Sequence, residues 1–405
     1  MKVIIAGAGI GGLTTALTLH AAGHDVAVFE ATSQIRPLGV GINLLPHAAA
    51  ILDELGLIET LLAQGVATAE LVYFNAHGQH IWGEPRGRLA GYPAPQISLP
   101  RGALQGVLLD TVIARLGPTA VTCDRRLVGY DQTSDAITAH FTDTAGQGHG
   151  ATADLLIAAD GIHSAARARL YPQEGPPIYG GRILWRATSL APSFLTGASM
   201  IMAGHQDQKF VAYPISAPDA QGRQILNWIA ELAVPQNLRL EDWNRTGNPA
   251  DFLPRFADWR FDWLDIPQLI TDARAIYEFP LVDRDPLPAW SFGRLTLLGD
   301  AAHPMYPIGS NGASQAILDA RALTAALAAH PNDPTEALAA YEADRRPPTS
   351  AIITANRGNG PEHCMQLAHD RAPGGFVRVE DVFAVGELAE IAARYKAVTG
   401  LRKSK

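Results

Sequence analysis

A glycine pattern close to the amino terminus constrains this chain more than any other feature. The sequence GAGIGG occupies residues 7–12, directly after the apolar run Val3 to Ala6, which is typical of a strand buried on both faces. In a strand–turn–helix unit Gly7 allows the tight turn, Gly9 lets the backbone approach a pyrophosphate, and Gly12 lets helix and strand pack closely. The pattern therefore predicts a βαβ unit that binds a dinucleotide.

The residues that follow support this unit. A predicted helix from about Gly11 to Ala22 ends at Gly23, and the next predicted strand ends at Glu30. A carboxylate at that position accepts hydrogen bonds from a ribose 2′-hydroxyl. The same segment could be interpreted as a signal peptide or a membrane span, but the glycine spacing and the strand that follows favour the βαβ unit. The motif by itself does not distinguish FAD from NAD.

Length, charge and cysteine content restrict the class of protein. The 405 residues suit two or three domains, and the net charge is −8 with no basic stripe, which argues against binding to nucleic acid or to an anionic membrane. Cys123 and Cys364 cannot form a disulfide framework and lack metal-ligand spacing. We therefore expect a cytoplasmic protein without a metal or a membrane span, as a monomer or homodimer, whose partners are small molecules.

The composition changes between residues 178 and 265, where aromatic residues become frequent. The runs MIMAG, FVAYPIS and QILNWIAEL in this region predict strands of a mixed or antiparallel sheet, and hence a second domain. The other predicted elements are helices over 47–57, 101–116 and 312–328, strands over 137–142, 154–158 and 295–298, and a mostly helical part from about 334 that ends in a packing helix over 379–398.

Two further motifs follow predicted strands. One is DGIHSAAR at residues 160–167, and the other is GDAAHP at 299–304, which continues into PIGSNGA at 307–313. An Asp at a strand end can bind a sugar-like hydroxyl chain, and a glycine-rich turn into a helix offers backbone N–H groups to an electron-rich ring edge. Alone, each motif is typical of an ordinary turn. In this order behind the glycine pattern, they indicate FAD rather than NAD as the dinucleotide.

With these motifs in place, the chain resembles the flavoprotein aromatic hydroxylases, class A FAD-dependent monooxygenases that include the p-hydroxybenzoate and salicylate hydroxylases. Within that family it is most similar to the branch of phenazine monooxygenases that acts on 5-methylphenazine-1-carboxylate. The resemblance covers about residues 1–360 and is weaker beyond them. The segments that carry it include IRPLGVGINLLPHA, AADGIHSAARARLYP, FVAYPIS, FPLVDRDPLPAW, GRLTLLGDAAHPMYPIGSNGASQAILDA and YEADRRP.

The resemblance implies an α/β fold. It consists of a Rossmann-like FAD-binding domain of the glutathione-reductase type, an inserted mixed or antiparallel β-sheet domain for the substrate, and a helical C-terminus. The expected domains are a discontinuous FAD-binding domain over 1–72, 98–177 and 276–350, a substrate domain over 73–97 and 178–275, and a C-terminal helical segment over 351–405.

The resemblance also implies a reaction. A non-covalently bound FAD, reduced by NADH or NADPH, reacts with dioxygen to a flavin hydroperoxide that hydroxylates an aromatic or heteroaromatic molecule. A phenazine-like carboxylate is the leading candidate substrate, modified by hydroxylation or oxidative decarboxylation. NAD(P)H binds transiently, because only one GxGxxG is present. Two alternatives stay open: an FAD oxidase or dehydrogenase on the same fold, and a non-catalytic binding protein of this architecture.

Cofactor contacts are carried over from the family residue by residue. Those expected to hold the cofactor are Gly7, Gly9, Gly12 and Glu30 at the AMP half, Arg101 at the phosphates, Asp160 for both FAD and NAD(P)H, Asp300 at the ribityl chain, Gly312 and Ala313 at the pyrimidine edge, and Val40 and Gly41 at the isoalloxazine ring. One departure is Ser314, where many relatives have Asn, which puts the hydrogen bonding at that helix start in doubt.

Because the flavin performs the chemistry, no side chain is assigned as catalytic. Pro307 is expected to border the reacting ring. The tryptophans of 178–265 are interpreted mainly as core residues, but because a sheet over the flavin must be lined by something, Tyr213 and Trp228 are candidates for contact with the substrate. Trp185 and Met305 are further candidates. The resemblance implies structural roles for His163 and His303, and the pair Arg345-Arg346 is interpreted as a solvated or inter-helix charge pair.

Overall fold

The structure is a computed structural model that describes residues 1–36, 39–234 and 245–400. Trp243 and the final five residues lie outside these ranges. The strands, in chain order, are β1 Lys2–Ala6, β2 Asp25–Phe29, β3 Gly41–Leu44, β4 Val66–Ala67, β5 Glu70–Phe74, β6 His80–Pro85, β7 Ile97–Pro100, β8 Val121–Thr122, β9 Arg126–Gln132, β10 Ile137–Thr142, β11 Gly148–Ala153, β12 Leu155–Ala158, β13 Ile178–Pro192, β14 Ser199–His205, β15 Gln208–Pro214, β16 Arg223–Ala233, β17 Arg245–Thr246, β18 Arg260–Phe261, β19 Leu264–Asp265, β20 Ile276–Asp283, β21 Ser291–Phe292 and β22 Leu295–Leu297.

The helices fall mainly in the first third and the last third of the chain. They are α1 Ile10–Ala21, α2 Pro46–Glu54, α3 Ile58–Ala63, α4 Arg101–Leu116, α5 Ala165–Leu170, α6 Ile266–Thr271, α7 Gly312–Ala329, α8 Pro334–Arg357, α9 His363–Arg371 and α10 Glu387–Val398. Among the residues that the structure describes, no helix combines the length and the apolarity needed to cross a membrane.

The first large sheet is mostly parallel and has the strand order β21-β22-β12-β1-β2-β8. Strand β1 runs parallel to β2 on one side and to β12 on the other, and only the edge pair β21–β22 is antiparallel. Its strands are apolar because the sheet is covered, in part by the three-stranded sheet β11-β10-β9, whose Phe141 stacks on Phe29 of β2, and β12 is completely buried. This sheet, with α1, α4, α7 and α8 packed on it, forms the largest hydrophobic core.

The second large sheet has eight strands in the order β17-β20-β13-β16-β15-β14-β5-β6. Its pairs are antiparallel except for β14 with β5. Alternate residues of each strand point to opposite faces. One face packs under residues 249–271 in an aromatic core that includes Phe210 and Trp228, and the other packs against the C-terminal part of the chain through residues such as Met202 and Tyr213.

The predicted fold class is confirmed. The predicted helix over 101–116 coincides with α4, and α1 and α7 lie within one residue of their predicted ranges at each end. The predicted C-terminal helix over 379–398 is wrong in its first half. Residues 379–381 form a single turn, and α10 begins only at Glu387, because Gly386 adopts a left-handed conformation with φ of 86° that a continuous helix cannot accommodate.

The domain boundaries stay a prediction, but the sheets can be placed relative to them. Strand β5 spans the predicted boundary between residues 72 and 73. Strand β20, which follows the predicted boundary at 275/276, pairs with β13 and is part of the eight-stranded sheet.

Candidate functional site

Four predicted cofactor residues follow neighbouring strands of the parallel sheet. Ala6, the last residue of β1, is in register with Phe29 of β2 and with Ala158 of β12, which is in register with Leu297 of β22. The carboxyl ends of parallel strands meet at one edge of a sheet, where ligands of such folds bind. Residues at that edge are Gly7, Glu30, Asp160 and Asp300. The register therefore brings together four groups that lie far apart in the sequence.

The glycine loop has the shape of a backbone cradle. Gly7 has φ of 107°, and a Cβ on it would lie 2.3 Å from the carbonyl oxygen of Ala159. A Cβ on Gly12 would lie 2.0 Å from the carbonyl oxygen of Gly7, so this position needs glycine for the approach of helix to turn. A Cβ on Gly9, by contrast, would meet nothing within 4 Å. The open side at Gly9 faces the start of α1, where free backbone N–H groups favour a phosphate.

The Glu30 carboxylate, which was expected to bind a ribose hydroxyl, is hydrogen-bonded to the glycine loop. Its Oε2 accepts a hydrogen bond from the backbone N–H of Ala8 at 2.8 Å, and its Oε1 accepts from the backbone and hydroxyl of Thr32 at 2.9 and 3.0 Å. Glu30 thus fixes the glycine loop itself. Oε1 uses both of its lone pairs in these bonds, whereas Oε2 keeps a second one, so the expected bond to a ribose hydroxyl stays a prediction that the geometry at Oε2 permits.

Two aspartates at this edge have acceptor atoms without protein partners. Asp160 Oδ2 accepts from the N–H of Ala165 at 2.8 Å, whereas its buried Oδ1 has no partner among the described residues. Asp300 is exposed and accepts no hydrogen bond from them, yet surrounding protein atoms raise the pKa of its carboxyl by desolvation. Acceptors without protein partners at this edge are suited to a ligand that carries hydroxyl groups.

The start of α7 completes the arrangement. Gly312 and Ala313 open the helix, no side chain caps its first N–H groups, and a Cβ on Gly312 would meet nothing within 4 Å. Ser314, the departure from the family pattern, donates to the carbonyl of Ser310 and accepts from the N–H of Leu45 at 3.1 Å. The hydroxyl therefore ties the helix start to the segment after β3. The cradle, the unpaired carboxylates and the helix start together fit FAD.

The Val40–Gly41 segment, expected at the isoalloxazine ring, is fastened on two sides. The carbonyl of Val40 accepts from the backbone N–H of Arg101, the first residue of α4, at 2.8 Å. The N–H of Gly41 donates to Asn227 Oδ1 at 2.6 Å, and its carbonyl accepts from Arg186 at 3.0 Å. Asn227 and Arg186 belong to the eight-stranded sheet, so this sheet positions the segment. Both residues escaped the sequence analysis because isolated polar residues in strands carry no motif.

Tyr213 lies on the same sheet face as these two residues. Its hydroxyl is hydrogen-bonded to the side chains of Arg186 and Asn43, and burial raises its pKa to about 12, against the opposing effect of the Arg186 charge. Arg186 is itself half-buried. Its Nε has no partner among the described residues, and its guanidinium lies 5.9 Å from the centre of the Phe279 ring. Tyr213 is therefore a neutral hydroxyl held in a polar cluster beside the Gly41 segment.

The two predicted tryptophans lie elsewhere. Trp228 is fully buried in the aromatic core, and its indole N–H donates to Ser189 Oγ at 2.9 Å. Trp185 stacks on Phe252 with ring centres 4.7 Å apart, and its indole N–H donates to Glu278. Both belong to the aromatic core on the face opposite Tyr213. Their predicted contact with substrate stays untested, and it finds no support in this packing.

Met305 and Pro307 lie in the segment that leads to α7. Met305 is half-buried and Pro307 is exposed at the start of the turn 308–310. The turn contributes Gly309 and Ser310 to the lining of a cavity. Pro307 thus lies directly beside residues that line a cavity, although it is not itself part of the lining.

This cavity lies between the eight-stranded sheet, the loop before α7, and α10. Sheet residues that line it come from β5, β6 and β14, and α10 supplies Ala392, Tyr395 and Lys396. Sequence reasoning interpreted the last helix as packing only, and nothing in its pattern indicated that it closes a pocket.

Charged and polar groups are concentrated at one part of the cavity wall. Arg86 pairs with Glu84 at 2.6 Å, and Lys396 pairs with the other oxygen of Glu84. Several buried polar atoms of the wall find no hydrogen-bond partner among the described residues, namely Arg86 Nε, Tyr73 Oη and Gln96 Oε1. Buried polar groups are nearly always paired, so this concentration of unpaired ones indicates a place where a polar ligand binds.

Behind α7 lies a buried ionic network. Asp319 pairs with His303 and, at 2.8 Å, with Arg345, and Asp319 also accepts from the N–H of Gly299 at 3.1 Å. Burial opposes ionisation, but the electrostatic and hydrogen-bond interactions with His303 and Arg345 lower the pKa of Asp319 to about 2. The network connects α7, α8 and the GDAAHP turn. This placement is consistent with the structural interpretation of His303 and Arg345.

His47, at the start of α2, is a residue that sequence reasoning did not single out. Neither of its ring nitrogens has a partner among the described residues, and burial, with the Arg345 charge, lowers its pKa to about 4. It follows two residues after Leu45, which lines the cavity. His47 is therefore a neutral imidazole at neutral pH with a free acceptor. Across the described ranges, no group of three or more His, Cys, Asp or Glu could hold a metal ion.

Comparison with known proteins decides the family. The profile of a family described as "FAD binding domain" matches residues 1–228 and 267–356. The chain belongs to this family. Phenazine 1,6-dicarboxylic acid hydroxylase PhzS of Lysobacter antibioticus is 46% identical over 403 residues, which cover 98% of this chain and 96% of that protein. A 3-amino-4-hydroxybenzoate 2-monooxygenase of Streptomyces cremeus is 31% identical, with 87% of this chain and 85% of that protein covered.

Two solved structures share the fold. HpxO of Klebsiella pneumoniae, complexed with FAD and uric acid, superposes with a TM-score of 0.74 at 24% identity and covers 99% of this chain and 93% of its own. CtdE, complexed with FAD and a substrate, superposes with a TM-score of 0.76 at 20% identity, with 99% of both chains covered. The protein is an FAD-dependent monooxygenase of the aromatic hydroxylase type, and NAD(P)H is its reductant.

Proposed function

We propose that this protein hydroxylates a planar aromatic or heteroaromatic carboxylic acid, with a phenazine carboxylate as the leading candidate. One observation carries the proposal: Arg86 lines the cavity beside the loop before α7, and its buried Nε has no partner among the described residues. A guanidinium with an unused donor in a protected site is suited to a carboxylate, which it binds with charge-assisted hydrogen bonds.

The charges of the cavity wall favour a single carboxylate at this position. Arg86 and Lys396 are both cationic, and the carboxylate that they share is Glu84. Two positive charges against one negative charge leave one positive charge for a ligand to neutralise. An unpaired positive charge in a partly buried site is unfavourable. One substrate carboxylate would neutralise it, whereas a second carboxylate at the same place would leave an excess negative charge. The rest of the wall suits a flat apolar ring, since it includes Leu45, Leu71, Met200 and Met202.

The names of two relatives support this substrate class. The relative at 46% identity is named for a phenazine dicarboxylic acid, and the relative at 31% identity is named for an aminohydroxybenzoate. Both named substrates are aromatic carboxylic acids. A pocket can be retuned by a few side chains while the cofactor site stays intact, so the reaction type transfers more safely than the particular ring.

In the reaction the protein holds the cofactor, orients the substrate and keeps water from the reacting ring. FAD, when bound and reduced by NAD(P)H, supplies the activated oxygen that is inserted into the ring. The proposed cofactor residues are the glycine loop with Glu30, Asp160 and Asp300, and the start of α7 at Gly312 and Ala313. Arg86 holds the substrate carboxylate, and the apolar wall together with α10 keeps water from the reacting ring.

The Tyr213 hydroxyl is held beside the Gly41 segment by its hydrogen bonds with the side chains of Arg186 and Asn43. Burial raises its pKa to about 12, so the hydroxyl stays protonated at neutral pH. This placement assigns Tyr213 to orientation of the substrate.

A matched pair of compounds tests the proposal. NAD(P)H consumption, hydrogen peroxide and product mass are measured with phenazine-1-carboxylic acid and with its carboxamide, which has the same ring and no charge. The acid is expected to give a product with one oxygen added, or with hydroxyl in place of the carboxylate, and the amide much less. Equal turnover of both compounds would contradict carboxylate recognition. Consumption of dioxygen without NAD(P)H would indicate an oxidase, and a purified protein that takes up no flavin would indicate a binding protein.

We also propose a cytoplasmic location. Both cysteines are free thiols, with Cys123 half-buried and Cys364 buried, which suits a reducing compartment. Fractionation of cells that express the tagged full-length chain tests this location, and recovery in a membrane or secreted fraction would contradict it.

A further inference from the structure

The loop before α7 has an unfavourable backbone conformation. Gly309 has φ of 68°, and the next residue, Ser310, has φ of 58°. Left-handed backbone is unremarkable for glycine but unfavourable for a residue with a Cβ, and it persists only where the surroundings enforce it. Ser310 lines the cavity, and two residues later the chain begins α7 at Gly312. Something must therefore hold this loop in place between the cavity and the cofactor residues.

The hydroxyl of Tyr395 is central to the contacts that hold it. It accepts a hydrogen bond from Asn311 Nδ2 at 2.8 Å, donates to Asn356 Oδ1 at 2.8 Å, and lies 3.2 Å from the carbonyl oxygen of Ile308. Asn356 in turn donates to the carbonyl of Tyr306 at 3.1 Å. Asn311 and Asn356 are almost completely buried, so water cannot replace these bonds. One hydroxyl from α10 therefore connects the two ends of the turn 308–310.

The aromatic ring of Tyr395 reinforces this connection by close packing. A Cβ on Gly309 would lie 2.3 Å from the Tyr395 hydroxyl oxygen, and a Cβ on Gly360 would lie 2.7 Å from its ring. The ring thus contacts the backbone of the loop on one side and that of the segment before α9 on the other. Replacing either glycine by a larger residue would push the tyrosine away from the loop.

Tyr395 belongs to the helix that also closes the cavity. The match to the family profile ends at residue 356, before this helix begins. Lys396, which follows Tyr395 in the helix, pairs with Glu84 in the cavity wall. We propose that Tyr395 is a positioning residue: through its hydroxyl, α10 fixes the loop at 308–311 and with it the presentation of Gly312 and Ala313 to the flavin. The cavity wall and the loop at 308–311 are then connected to each other through α10.

This inference rests on the assignment of Gly312 and Ala313 to the cofactor, and it is independent of the proposed substrate. Tyr395→Phe removes the hydroxyl and keeps the ring between the two glycines. Tyr171→Phe is the matched control, because its hydroxyl donates to the carbonyl of Ala289 and makes no hydrogen bond with residues 306–312. Asp300→Ala serves as a second reference that weakens the cofactor site directly.

Hydrogen exchange and FAD titration are measured for the four full-length proteins, including the parent. In the flavin-free Tyr395→Phe protein, the amides of residues 308–313 are expected to exchange about three- to tenfold faster, the effect of losing one buried hydrogen bond. FAD is expected to bind about three- to tenfold more weakly, and more NAD(P)H is expected to end as hydrogen peroxide. The midpoint of thermal unfolding of Tyr395→Phe is expected to match that of Tyr171→Phe. A general loss of stability would instead lower the midpoint of Tyr395→Phe below that of the control.

The results separate this inference from the assignments on which it depends. If Tyr395→Phe exchanges and binds FAD like the parent while Asp300→Ala binds FAD weakly, Tyr395 does not position the loop. If neither variant changes FAD binding, the cofactor assignment itself is wrong. Should Tyr395→Phe fail to fold, Leu388→Ala is used instead. Leu388 is the only buried residue among the described residues of α10, so its replacement weakens the packing of this helix and leaves Tyr395 intact. Unchanged exchange at 308–313 in that variant would also contradict the inference.

Discussion

Tyr213 and Trp228 lie on opposite faces of the eight-stranded sheet. In the β15–β16 ladder Tyr213 is directly opposite Asn227, whereas Trp228 is opposite Ala212. Residues directly opposite in a ladder share a face, so Tyr213 shares the face of Asn227 and of the Gly41 segment that Asn227 holds. Only one of the two aromatic residues can therefore act from the face on which the Gly41 segment lies.

This relationship predicts different effects for substitutions of the two residues. Trp228→Ala leaves a large cavity in the aromatic core and is expected to lower the free energy of unfolding by about 3–5 kcal/mol. Tyr213→Phe removes one hydroxyl and is expected to cost about 1 kcal/mol, while the share of NAD(P)H that ends as hydrogen peroxide rises. Urea unfolding and peroxide yield are measured on both variants. A destabilised Tyr213→Phe with unchanged peroxide yield would contradict the assignment.

Arg86 is expected to determine the affinity for an acidic substrate. Arg86→Met is predicted to raise KM for a carboxylate substrate by about 10- to 100-fold, because a hydrogen bond to a charged group contributes about 1.5–3 kcal/mol. Its FAD content should stay unchanged. Arg88→Met, an exposed arginine two residues along, is the control. Steady-state kinetics on both variants test the prediction, and an equal rise of KM in the control would refute it.

Asp300 is expected to contribute to FAD affinity more than to folding. Asp300→Ala removes an acceptor that has no partner among the described residues, so few contacts within the protein are lost. Loss of a charge-assisted bond to a cofactor hydroxyl is predicted to weaken FAD binding by about 10- to 150-fold. Flavin fluorescence titration compares it with Asp258→Ala, an exposed carboxylate. Unchanged affinity would place Asp300 away from the cofactor.

His47 is expected to make stability depend on pH. Its pKa is lowered from 6.5 to about 4 in the folded protein, so between these values the unfolded chain binds a proton that the folded protein does not. Its contribution is present above pH 6.5 and is lost as the pH falls towards 4, by up to about 3 kcal/mol. The flavin-free His47→Gln protein should therefore lose less stability than the parent across this window.

The comparison between variants isolates His47 from other groups. Asp160, Asp300 and Glu362 have raised pKa values, which favour the folded protein as the pH falls, but they are common to both proteins. Free energies of unfolding are measured by urea at several pH values between 4 and 7, with the exposed His20→Gln as control. Parallel curves for the parent and His47→Gln would show that His47 does not titrate in this way.

Local patterns determined most of the first sheet. The glycine loop needs particular backbone conformations, so GAGIGG marks the turn after β1, and the apolar runs that end at Ala6 and Ala158 mark strands buried on both faces. Helix α4 was predicted with its observed bounds because its apolar spacing is regular and Gly117 ends it. The motifs also indicated the cofactor residues, since each consists of neighbouring residues.

The substrate site was not predictable in the same way. Alternation along β15 and β16 assigns Tyr213 and Trp228 to opposite faces of the sheet. Which of these faces meets the Gly41 segment depends on how the sheet packs. Arg86 and Lys396 are more than 300 positions apart and meet only because both bind Glu84. Likewise, nothing near Tyr395 in the sequence indicates the loop that it holds.

The sequence by itself determined the FAD-binding strand–turn–helix unit and the order of the elements, because these depend on contiguous residues with specific backbone requirements. The reaction type was implied by the resemblance to a known family. The tertiary structure alone decided the cavity, its excess positive charge and the contribution of α10. Those features arise from long-range contacts between side chains, and a polar residue in a strand or helix carries no sign of the distant partner that it will meet.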